Sequence, residues 1–373
     1  MIGWMGQTEI SDWDALAGRI KCWGRELGFD AVGISDADLG TAERGLADWL
    51  AAGFHGEMDY MARHGATRAR PAELVPGTLR VISARMDYQP QAAAAEETLA
   101  DGNRAFVSRY ALGRDYHKLM RRRLQKLASR IEAAIGAFGY RVFTDSAPLL
   151  EVEIARRAGL GWRGKHTLLL TREAGSMFFL GEICTDLPLP VDAPTRAHCG
   201  TCTRCIEVCP TQAIVAPYRL DARRCIAYLT IELEGSIPPQ LRPLIGNRVY
   251  GCDDCQLFCP WNRYARLTRE PDFAVRHGLD RATLIELFAW SKGEFEIRMA
   301  GSAILRIGYP RWLRNLAVGL GNAPTSGAVV AALQARADDS EPLVREHVAW
   351  ALGRHSEKSG SIWQILLRRT TKP

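Results

Sequence analysis

Residues 199–210 read Cys199-Gly-Thr-Cys202-Thr-Arg-Cys205-Ile-Glu-Val-Cys209-Pro210, and this stretch decides the fold around it. The spacing is C-x₂-C-x₂-C-x₃-C-P, which holds a [4Fe–4S] cluster through its thiolates. In such a run a tight loop points the first three sulfurs at three corners of one cube. The fourth cysteine reaches the other cluster when a domain carries two.

A second run of cysteines follows downstream, Cys252-Asp-Asp-Cys255-Gln-Leu-Phe-Cys259-Pro260, and it ends in the same C-x₃-C-P. By the spacing of the first run, its opening cysteine belongs at position 249, which is Val249. Cys225 is the one cysteine between the two runs, so it supplies the missing thiolate. The crossed pattern assigns Cys199, Cys202, Cys205 and Cys259 to cluster one, and Cys209, Cys225, Cys252 and Cys255 to cluster two.

The alternatives for these cysteines are a zinc site or disulfides. Zinc sites usually consist of two C-x₂-C pairs, which this spacing does not resemble. Cys22 and Cys184 stand alone in apolar runs, and we expect both to be small buried side chains without a ligand role.

Composition leaves room for two or three globular domains. The chain has 373 residues, 47% of them hydrophobic, and a net charge of +6, which permits an anionic partner without requiring one. The first residues lack a basic segment followed by an apolar core, and no apolar run approaches the ~18 residues of a membrane span. We therefore expect a cytoplasmic protein without membrane association, in a compartment that keeps thiols reduced.

Residues 1–188 alternate helices and strands, which predicts a layered α/β domain. Strands are expected over 30–35, 79–85, 140–144, 166–171 and 176–184, and helices over 9–28, 43–52, about 117–138 and 149–158. The Ala-rich, acidic stretch 91–102 is expected to be a flexible loop. Prolines at 188, 190 and 194 mark a linker into a ferredoxin-like two-cluster domain, residues 189–268.

Residues 269–373 are predicted to be helical throughout. Residues 313–322 are echoed by 345–354, with Ala317, Leu320 and Gly321 each repeated 32 positions later. This indicates HEAT-like helical-hairpin repeats, which make concave binding surfaces. The alternative is two helices that happen to end alike. The fold class is thus α+β multidomain: an α/β domain, a two-cluster domain and a helical repeat domain.

Several motifs, taken in order, resemble the epoxyqueuosine reductase family. They are Gly53-Phe-His-Gly-Glu-Met-Asp-Tyr-Met61, Arg68-Ala-Arg70-Pro71, Ser108-Arg-Tyr-Ala-Leu-Gly-Arg-Asp-Tyr-His117, Thr144-Asp145-Ser-Ala-Pro148, Gly161-Trp-Arg-Gly-Lys-His-Thr167, both cysteine runs and the helical tail. The resemblance implies a cobalamin-dependent enzyme with two [4Fe–4S] clusters, akin to the reductive dehalogenases. Its members remove the epoxide oxygen of epoxyqueuosine at the tRNA wobble position to give queuosine.

The resemblance also implies roles for single residues. Asp145 would be the proton donor, and burial against the corrin would raise the pKa of its carboxyl so that it stays protonated. Without the resemblance, Asp145 would be a turn residue or the N-cap of the following helix. The cobalamin contacts would be Arg68, Ser108, Asp145, Lys165, Leu169 and Asp253, although Leu169 also suits a strand core. Asp254 would lie where the clusters approach the corrin. Asp115-Tyr-His117 is D-x-H without the following glycine of a cobalamin motif, so no histidine ligand to cobalt is expected.

The implied partners are tRNA carrying epoxyqueuosine and a low-potential electron donor such as ferredoxin or flavodoxin, with the protein a monomer. We expect the tRNA on the C-terminal repeats, where Arg298, Arg306, Arg311, Arg314 and Arg345 recur near helix starts, or otherwise on the basic helix over 121–130. In the alternative, those arginines form ion pairs with nearby Glu and Asp side chains. Two other functions compete: a dehalogenase-like enzyme acting on a small substrate, and a ferredoxin-like electron carrier fused to a scaffold.

Overall fold

The computed structural model describes residues 12–370, and their side chains as far as residue 357. Residues 9–11 of the expected first helix lie outside this range. Helix α1 (Trp13–Glu26) begins after Asp12, whose carboxylate accepts from Ala15 N at 2.8 Å. It ends as expected before Gly28, which has φ 89°, a value that a side chain would disfavour.

A four-stranded antiparallel sheet organises the region up to residue 188. Its strands lie in the order β1 (Ala31–Asp36), β2 (Arg80–Asp87), β7 (Phe178–Thr185) and β4 (Tyr140–Phe143). Helices cover both faces, α1 and α6 (Tyr116–Ile135) on one side and α7 (Glu151–Arg157) on the other. The layers were predicted correctly, but the strands are antiparallel, so the domain is not a parallel α/β sheet of the crossover type. The remaining helices and strands of residues 12–188 are α2 (Ala42–Ala51), α3 (Asp59–Arg63), α4 (Pro71–Leu74), α5 (Ala95–Ala100), β3 (Phe106–Val107), β5 (Trp162–Arg163) and β6 (Leu169–Leu170).

Two local predictions in this region are wrong. The stretch 91–102 contains α5, and Ala95 and Thr98 are buried, because the helix packs beside β3 rather than extending into solvent. The expected strand over 166–171 is reduced to β6, which pairs with β5 in a hairpin whose strands have two residues each. Thr167 has φ 77°, a left-handed conformation that interrupts an extended strand.

Short elements carry the cysteine runs: α8 (Arg204–Glu207), β8 (Ile214–Ala216), β9 (Arg219–Leu220), α9 (Arg242–Ile245), β10 (Arg248–Tyr250) and α10 (Asp254–Leu257). Strand β10 pairs in parallel with β3, which ties this region to the first one. One hydrophobic core combines Val107 and Leu112 with Val249 and with residues of the C-terminal helices. The boundaries near 188 and 268 stay a prediction.

The C-terminal region is helical, with α11 (Leu284–Phe288), α12 (Lys292–Met299), α13 (Gly308–Asn322), α14 (Gly327–Gln334) and α15 (Pro342–Thr370). A short helix precedes a long one twice, in α12–α13 and α14–α15, and α13 packs along α15. A Cβ on Gly321 would lie 2.5 Å from the Trp350 ring, so this glycine permits the close approach of the two long helices. The helix pairs agree with the predicted hairpins, whereas their HEAT-like class stays a prediction. Within the described residues, no helix is both long enough and apolar enough to cross a membrane.

Candidate functional site

The first three cysteines of the first run and the last cysteine of the second surround one cavity of about 220 Å³. Their neighbours in its wall include Lys165 and His166. Burial, then the adjacent thiols of Cys259, Cys199 and Cys202, raise the pKa of Cys205 to about 11. Thiols this close repel one another once ionised, so a bound cation is needed to hold them as thiolates. The grouping supports the set predicted for cluster one.

The other four cysteines also lie near one another. Burial raises the pKa of the Cys255 thiol, and Cys225 and Cys209 raise it further. Cys252 Sγ lies 2.8 Å from Asp254 Oδ2, and that carboxylate is ion-paired with Arg248 at 2.5 Å. All ten cysteines are free thiols. Among the described residues, no three His, Cys, Asp or Glu side chains are arranged to hold a single metal ion.

The prediction for the two isolated cysteines is half right. Cys184 is buried in β7, where burial raises the pKa of its thiol to about 12. Cys22 is exposed, because it faces solvent on α1 beside Arg25, whose guanidinium lies 3.2 Å from its sulfur.

Lys165 and Leu169 make their contacts with residues other than Asp145. Lys165 Nζ donates to the carbonyls of Gly200 at 2.7 Å and Cys202 at 2.9 Å, so it braces the loop of the first cysteine run. Leu169 is buried in a small apolar cluster with Leu160 and Phe178. A strand-core role was the alternative for Leu169, and these contacts fit it. A cobalamin contact for either residue stays a prediction.

Ser108 and Asp253, predicted as members of one site, are in direct contact. Ser108 Oγ donates to Asp253 Oδ1 at 2.5 Å, and Arg109 N donates to Asp253 Oδ2 at 2.7 Å. Gly251 has φ 70°, and a Cβ there would lie 2.6 Å from that of Ser108, so the glycine lets the two segments meet. Burial raises the pKa of the Asp253 carboxyl. The second cysteine run is thereby held against the loop after β3.

Asp145 follows β4 in a left-handed turn with φ 51°. Its backbone N–H donates to Glu151 Oε1 at 2.6 Å, which fixes the turn to the first residue of α7. Leu150 is the N-cap of α7, so Asp145 is not a helix cap. The Asp145 side chain is 53% exposed, which leaves its carboxylate open to an incoming group.

His117 is the residue that the sequence analysis missed. Its Nε2 lies 2.9 Å from Asp145 Oδ2, and its Nδ1 lies 2.6 Å from Asp115 Oδ1. Asp115 is the N-cap of α6 and is ion-paired with Arg306 at 2.5 Å. The D-x-H signal was in the sequence, and in the structure its histidine forms an Asp–His–Asp arrangement.

The charges of this arrangement reverse the pKa shift expected for Asp145. Burial acts to raise the pKa of its carboxyl, but the hydrogen bond and charge of His117 outweigh burial and hold that pKa below its usual value. Burial acts to lower the pKa of His117, and Asp115 and Asp145 together raise it. In the protein alone, the shared proton therefore resides on His117.

Two buried carboxyls lie behind the Asp145 turn. Glu182 on β7 is fully buried, and its carboxyl interacts with that of Glu151. Burial and the charge of Asp145 raise the pKa of Glu151 to about 7, and burial together with Glu151 raises that of Glu182 far above its ordinary value. Burial therefore favours the protonated form of Glu182, which avoids a second buried charge behind Asp145.

Aromatic side chains join Asp145 to the second cysteine run. The rings of Tyr110 and Tyr116 lie 6.4 Å apart, and those of Tyr110 and Tyr250 lie 6.2 Å apart. A hydrogen bond from Tyr116 helps to lower the pKa of Asp145, and Tyr250 directly precedes the Gly251 turn. The result is one aromatic wall with Asp145 at one end and the Ser108–Asp253 contact at the other.

Arg68 lies near this wall and is buried. Its guanidinium donates to Tyr60 O at 2.7 Å and lies 5.8 Å from the centre of the Tyr60 ring. Burial, then Glu232 and Asp145, raise the pKa of Tyr60 to about 12. Arg68 and Asp145 therefore both lie close enough to Tyr60 to affect its pKa.

A basic cavity of about 570 Å³ opens beside the Asp115–His117 pair. Arg114 and Arg306 in its wall are ion-paired with Asp272 and Asp115. Lys118 and Arg122 come from successive turns of α6, and neither has an ion-pair partner among the described residues. The cavity therefore keeps positive charge that protein carboxylates do not neutralise.

The C-terminal arginines are mostly engaged within the protein. Arg314 was expected to be free for phosphate, and this is wrong: it is fully buried and donates to the carbonyls of Leu229, Leu233 and Gly235. Leu229 lies in the π-helical turn over 228–232, and Leu233 and Gly235 follow it. Their carbonyls therefore lack intrahelical partners. Arg306 is paired with Asp115, and Arg345 donates to the carbonyls of residues 339 and 340. Arg311 donates to the Ile307 carbonyl at 2.6 Å, and Arg298 lies over the Trp290 ring.

Comparison with known proteins gives consistent similarity. The family model "Epoxyqueuosine reductase QueG, DUF1730" matches residues 68–146, and the model of a 4Fe-4S double cluster binding domain matches residues 198–262. The epoxyqueuosine reductase of Burkholderia pseudomallei is 64% identical, over 90% of this chain and 91% of that protein.

Two solved structures are similar along most of the chain. One is an epoxyqueuosine reductase with a tRNA-Tyr epoxyqueuosine-modified stem loop, with TM-score 0.83, 27% identity, and coverage of 92% and 91% of the two chains. The other, from Bacillus subtilis, has a catalytic aspartate loop swung out of the active site, with TM-score 0.84, 27% identity and the same coverage.

Proposed function

Since the chain belongs to the epoxyqueuosine reductase family, we propose that it removes the epoxide oxygen of epoxyqueuosine in tRNA to give queuosine. The observation that carries the proposal is the place of Asp145. It is exposed in a turn paired with His117, between a basic cavity and an aromatic wall that leads to the second cysteine run. An acid, an anionic substrate and an electron source thereby meet at one point.

The reaction sets the requirements for this site. Opening the epoxide and restoring the double bond takes two electrons and two protons, and the oxygen leaves as water. The chain carries the 4Fe-4S double cluster domain, whose clusters transfer one electron at a time. We assign cluster one to Cys199, Cys202, Cys205 and Cys259, which share one cavity. The mutual effects of the other thiols support Cys209, Cys225, Cys252 and Cys255 as the ligands of cluster two.

The residues between the clusters and Asp145 fit cobalamin. The aromatic wall would lie against the flat macrocycle, and Ser108, Arg68 and Asp253, which are buried and hydrogen-bonded within the protein, would fix the segments around it. Cobalamin would supply a cobalt centre that accepts electrons from the clusters and passes them to the substrate. His117 is held between two carboxylates. We propose that no histidine binds the cobalt.

Asp145 delivers the proton to the leaving oxygen, and His117 restores it. His117 Nε2 is 2.9 Å from Asp145 Oδ2, within the range for direct proton transfer. Asp115 lies 2.6 Å from the opposite ring nitrogen, and its carboxylate stabilises the imidazolium that precedes transfer. An Arg306 guanidinium nitrogen lies 2.6 Å from the same ring nitrogen and opposes that charge, but the two carboxylates outweigh it and raise the pKa of His117. The catalytic aspartate loop of the Bacillus subtilis relative supports this role for the exposed Asp145 turn.

The tRNA is held by the basic cavity next to Asp115. Lys118 and Arg122 provide two unpaired charges for phosphate, and the cavity borders the pair that protonates the substrate. A base must leave the stacked loop to reach the reaction centre, so contacts to the backbone close by help offset that cost. The relative with a bound tRNA stem loop supports a nucleic-acid substrate for this chain. The helical repeats flank the cavity through Arg306.

The experiment is incubation of the cluster- and cobalamin-reconstituted protein with epoxyqueuosine tRNA and a low-potential reductant, read by mass spectrometry of nucleosides. Conversion to queuosine is expected, and Asp145→Asn, with both clusters bound, should convert at least about 10²-fold more slowly. Reduction of a small organohalide but not of the tRNA would favour the dehalogenase-like alternative. Redox cycling without conversion of either substrate would favour the electron carrier.

A further inference from the structure

The first cysteine set meets solvent at a single thiol. Of the eight cysteines in the two sets, Cys202 alone is exposed. The cavity formed by its set is also lined by Arg263 and Tyr264, both of which are exposed. Electrons must enter the protein from outside, and this edge is where a cluster held by the first set would come closest to an external carrier.

The surface beside this edge combines positive charge with apolar side chains. The segment Phe258–Arg269 contains three exposed arginines and no acidic residue. The same segment exposes Phe258, Tyr264 and Leu267, which are 45%, 41% and 60% exposed. Exposed apolar groups ringed by charge are the usual composition of a protein-binding surface. Nucleic-acid surfaces also combine arginine with aromatic side chains, but the most exposed apolar side chain here is the aliphatic Leu267, which cannot stack on a base.

Arg204 extends the same surface across the first cysteine run. It lies between Cys202 and Cys205 in sequence, is exposed, and faces a cavity of about 600 Å³ together with Phe258 and Arg263. Its guanidinium has no ion-pair partner among the described residues. Acidic groups nearby are few: Glu96 in the cavity wall, Glu207 bonded to Thr203, and buried Asp87 close to Arg266. The balance of charge stays positive.

We propose that the surface formed by Arg204 and residues 258–269 docks a small acidic one-electron carrier protein, whose prosthetic group then lies over the Cys202 edge of cluster one. The proposal rests on the proposed function for its use of electrons. Each reduced carrier is oxidised by one electron as cluster one is reduced, so two carriers serve one turnover. Arginine against carboxylate gives fast, salt-dependent association, and transient redox complexes bury little surface. Leu267, Tyr264 and Phe258 supply the apolar centre.

The test uses reduced flavodoxin as probe, with a ferredoxin in a parallel series, and the holoprotein carrying Arg263→Glu and Arg266→Glu. The rate of bleaching of the iron–sulfur absorbance is measured against carrier concentration, and the dissociation constant of oxidised flavodoxin is measured separately. At low salt, both the half-saturating concentration and the dissociation constant should rise about tenfold. The difference should shrink as salt rises toward ~0.5 M. Bleaching by dithionite should change far less than bleaching by flavodoxin.

Arg19→Glu on α1 is the control: it makes the charge change of one of the two substitutions, on an exposed helix that packs against β1 and α6. It should leave the flavodoxin series unchanged. Leu267→Gln tests the apolar centre without a change of charge and should weaken binding several-fold, whether or not the double variant retains its iron.

Three results would overturn the proposal. They are unchanged flavodoxin binding in both the double variant and Leu267→Gln, an equal loss in the Arg19→Glu control, and a fall in tRNA affinity as large as that for flavodoxin. The last result would make the surface a nucleic-acid site. Bleaching is read without tRNA, so failure of the proposed reaction would not be mistaken for failure of docking.

Discussion

Replacing His117 by glutamine separates the residue that stores the proton from the residue that delivers it. In the protein, His117 Nε2 lies 2.9 Å from Asp145 Oδ2, and the pair raises the pKa of the imidazole while lowering that of the carboxyl. The proton used by Asp145 therefore comes from His117. Glutamine keeps a hydrogen-bonding group of similar reach but cannot carry the proton at neutral pH.

The size of the effect follows from the protonation of Asp145 without its partner. An ordinary aspartate, with a pKa of about 4, is protonated in only about one part in 10³ at pH 7. Loss of His117 leaves burial to raise that pKa, but the side chain is 53% exposed, which limits the effect of burial. Turnover at pH 7 should therefore fall about 10²-fold, within the usual range for a positioned acid–base group.

The pH profile carries the sharper prediction. The parent protein should keep its activity until pH rises through the raised pKa of His117, above the ordinary value of about 6.5. The variant should lose activity from a lower pH, near the pKa of Asp145 alone, so the ratio of parent to variant should grow about tenfold per unit through the range between. Single-turnover rates, with reduced cofactors and saturating tRNA, isolate this step from electron delivery.

Asp115→Asn is the matched control, because it keeps the imidazole but removes one of the carboxylates that raise its pKa. Its alkaline limb should move to lower pH while turnover at pH 5 stays close to that of the parent. A His117→Gln profile that is superimposable on the parent profile would refute the proton-storage role and leave His117 a spectator.

Two further predictions concern other parts of the site. Cys225→Ala should lose one cluster, about four of eight iron atoms by iron analysis, whereas Cys184→Ala should retain all eight, and full iron in Cys225→Ala would show that the crossed assignment is wrong. The double variant Lys118→Glu and Arg122→Glu should weaken tRNA binding and reduce the slope of log affinity against log salt by about 2, one for each phosphate contact. Iron and cobalamin contents serve as its controls, and an unchanged slope would place the tRNA elsewhere.

Local sequence patterns predicted what depends on neighbours in sequence. The alternation of apolar residues located β1, β2, β4 and β7 to within about two residues, and Gly28 marked the end of α1. The cysteine spacing predicted that the first set lies together, because C-x₂-C-x₂-C fits one loop and Cys259 repeats the C-P ending. The family model for a double cluster domain agrees with that reading.

Contacts between distant segments were not predictable in the same way. His117 and Asp145 are 28 residues apart, and they meet because α6 starts where β4 ends. Nothing in the D-x-H pattern shows which carboxylate the second ring nitrogen will face. The direction of the strands was also hidden, since antiparallel pairing between β2 and β7 depends on how the long intervening segment returns.

The arginines of α13 show why a count of charges is a poor guide to a nucleic-acid surface. Arg311 and Arg314 look alike in sequence, but Arg314 is buried because the π-helical turn over 228–232 exposes carbonyls that need donors. Burial lowers the pKa of Arg314 to about 9, and its removal would leave several carbonyls unpaired at a cost of about 1–3 kcal/mol each. A tRNA-binding loss in such a variant would reflect damage to the fold. Only basic groups whose donors are unused can report on phosphate, and in the described part of the chain Lys118 and Arg122 meet that condition beside Asp115.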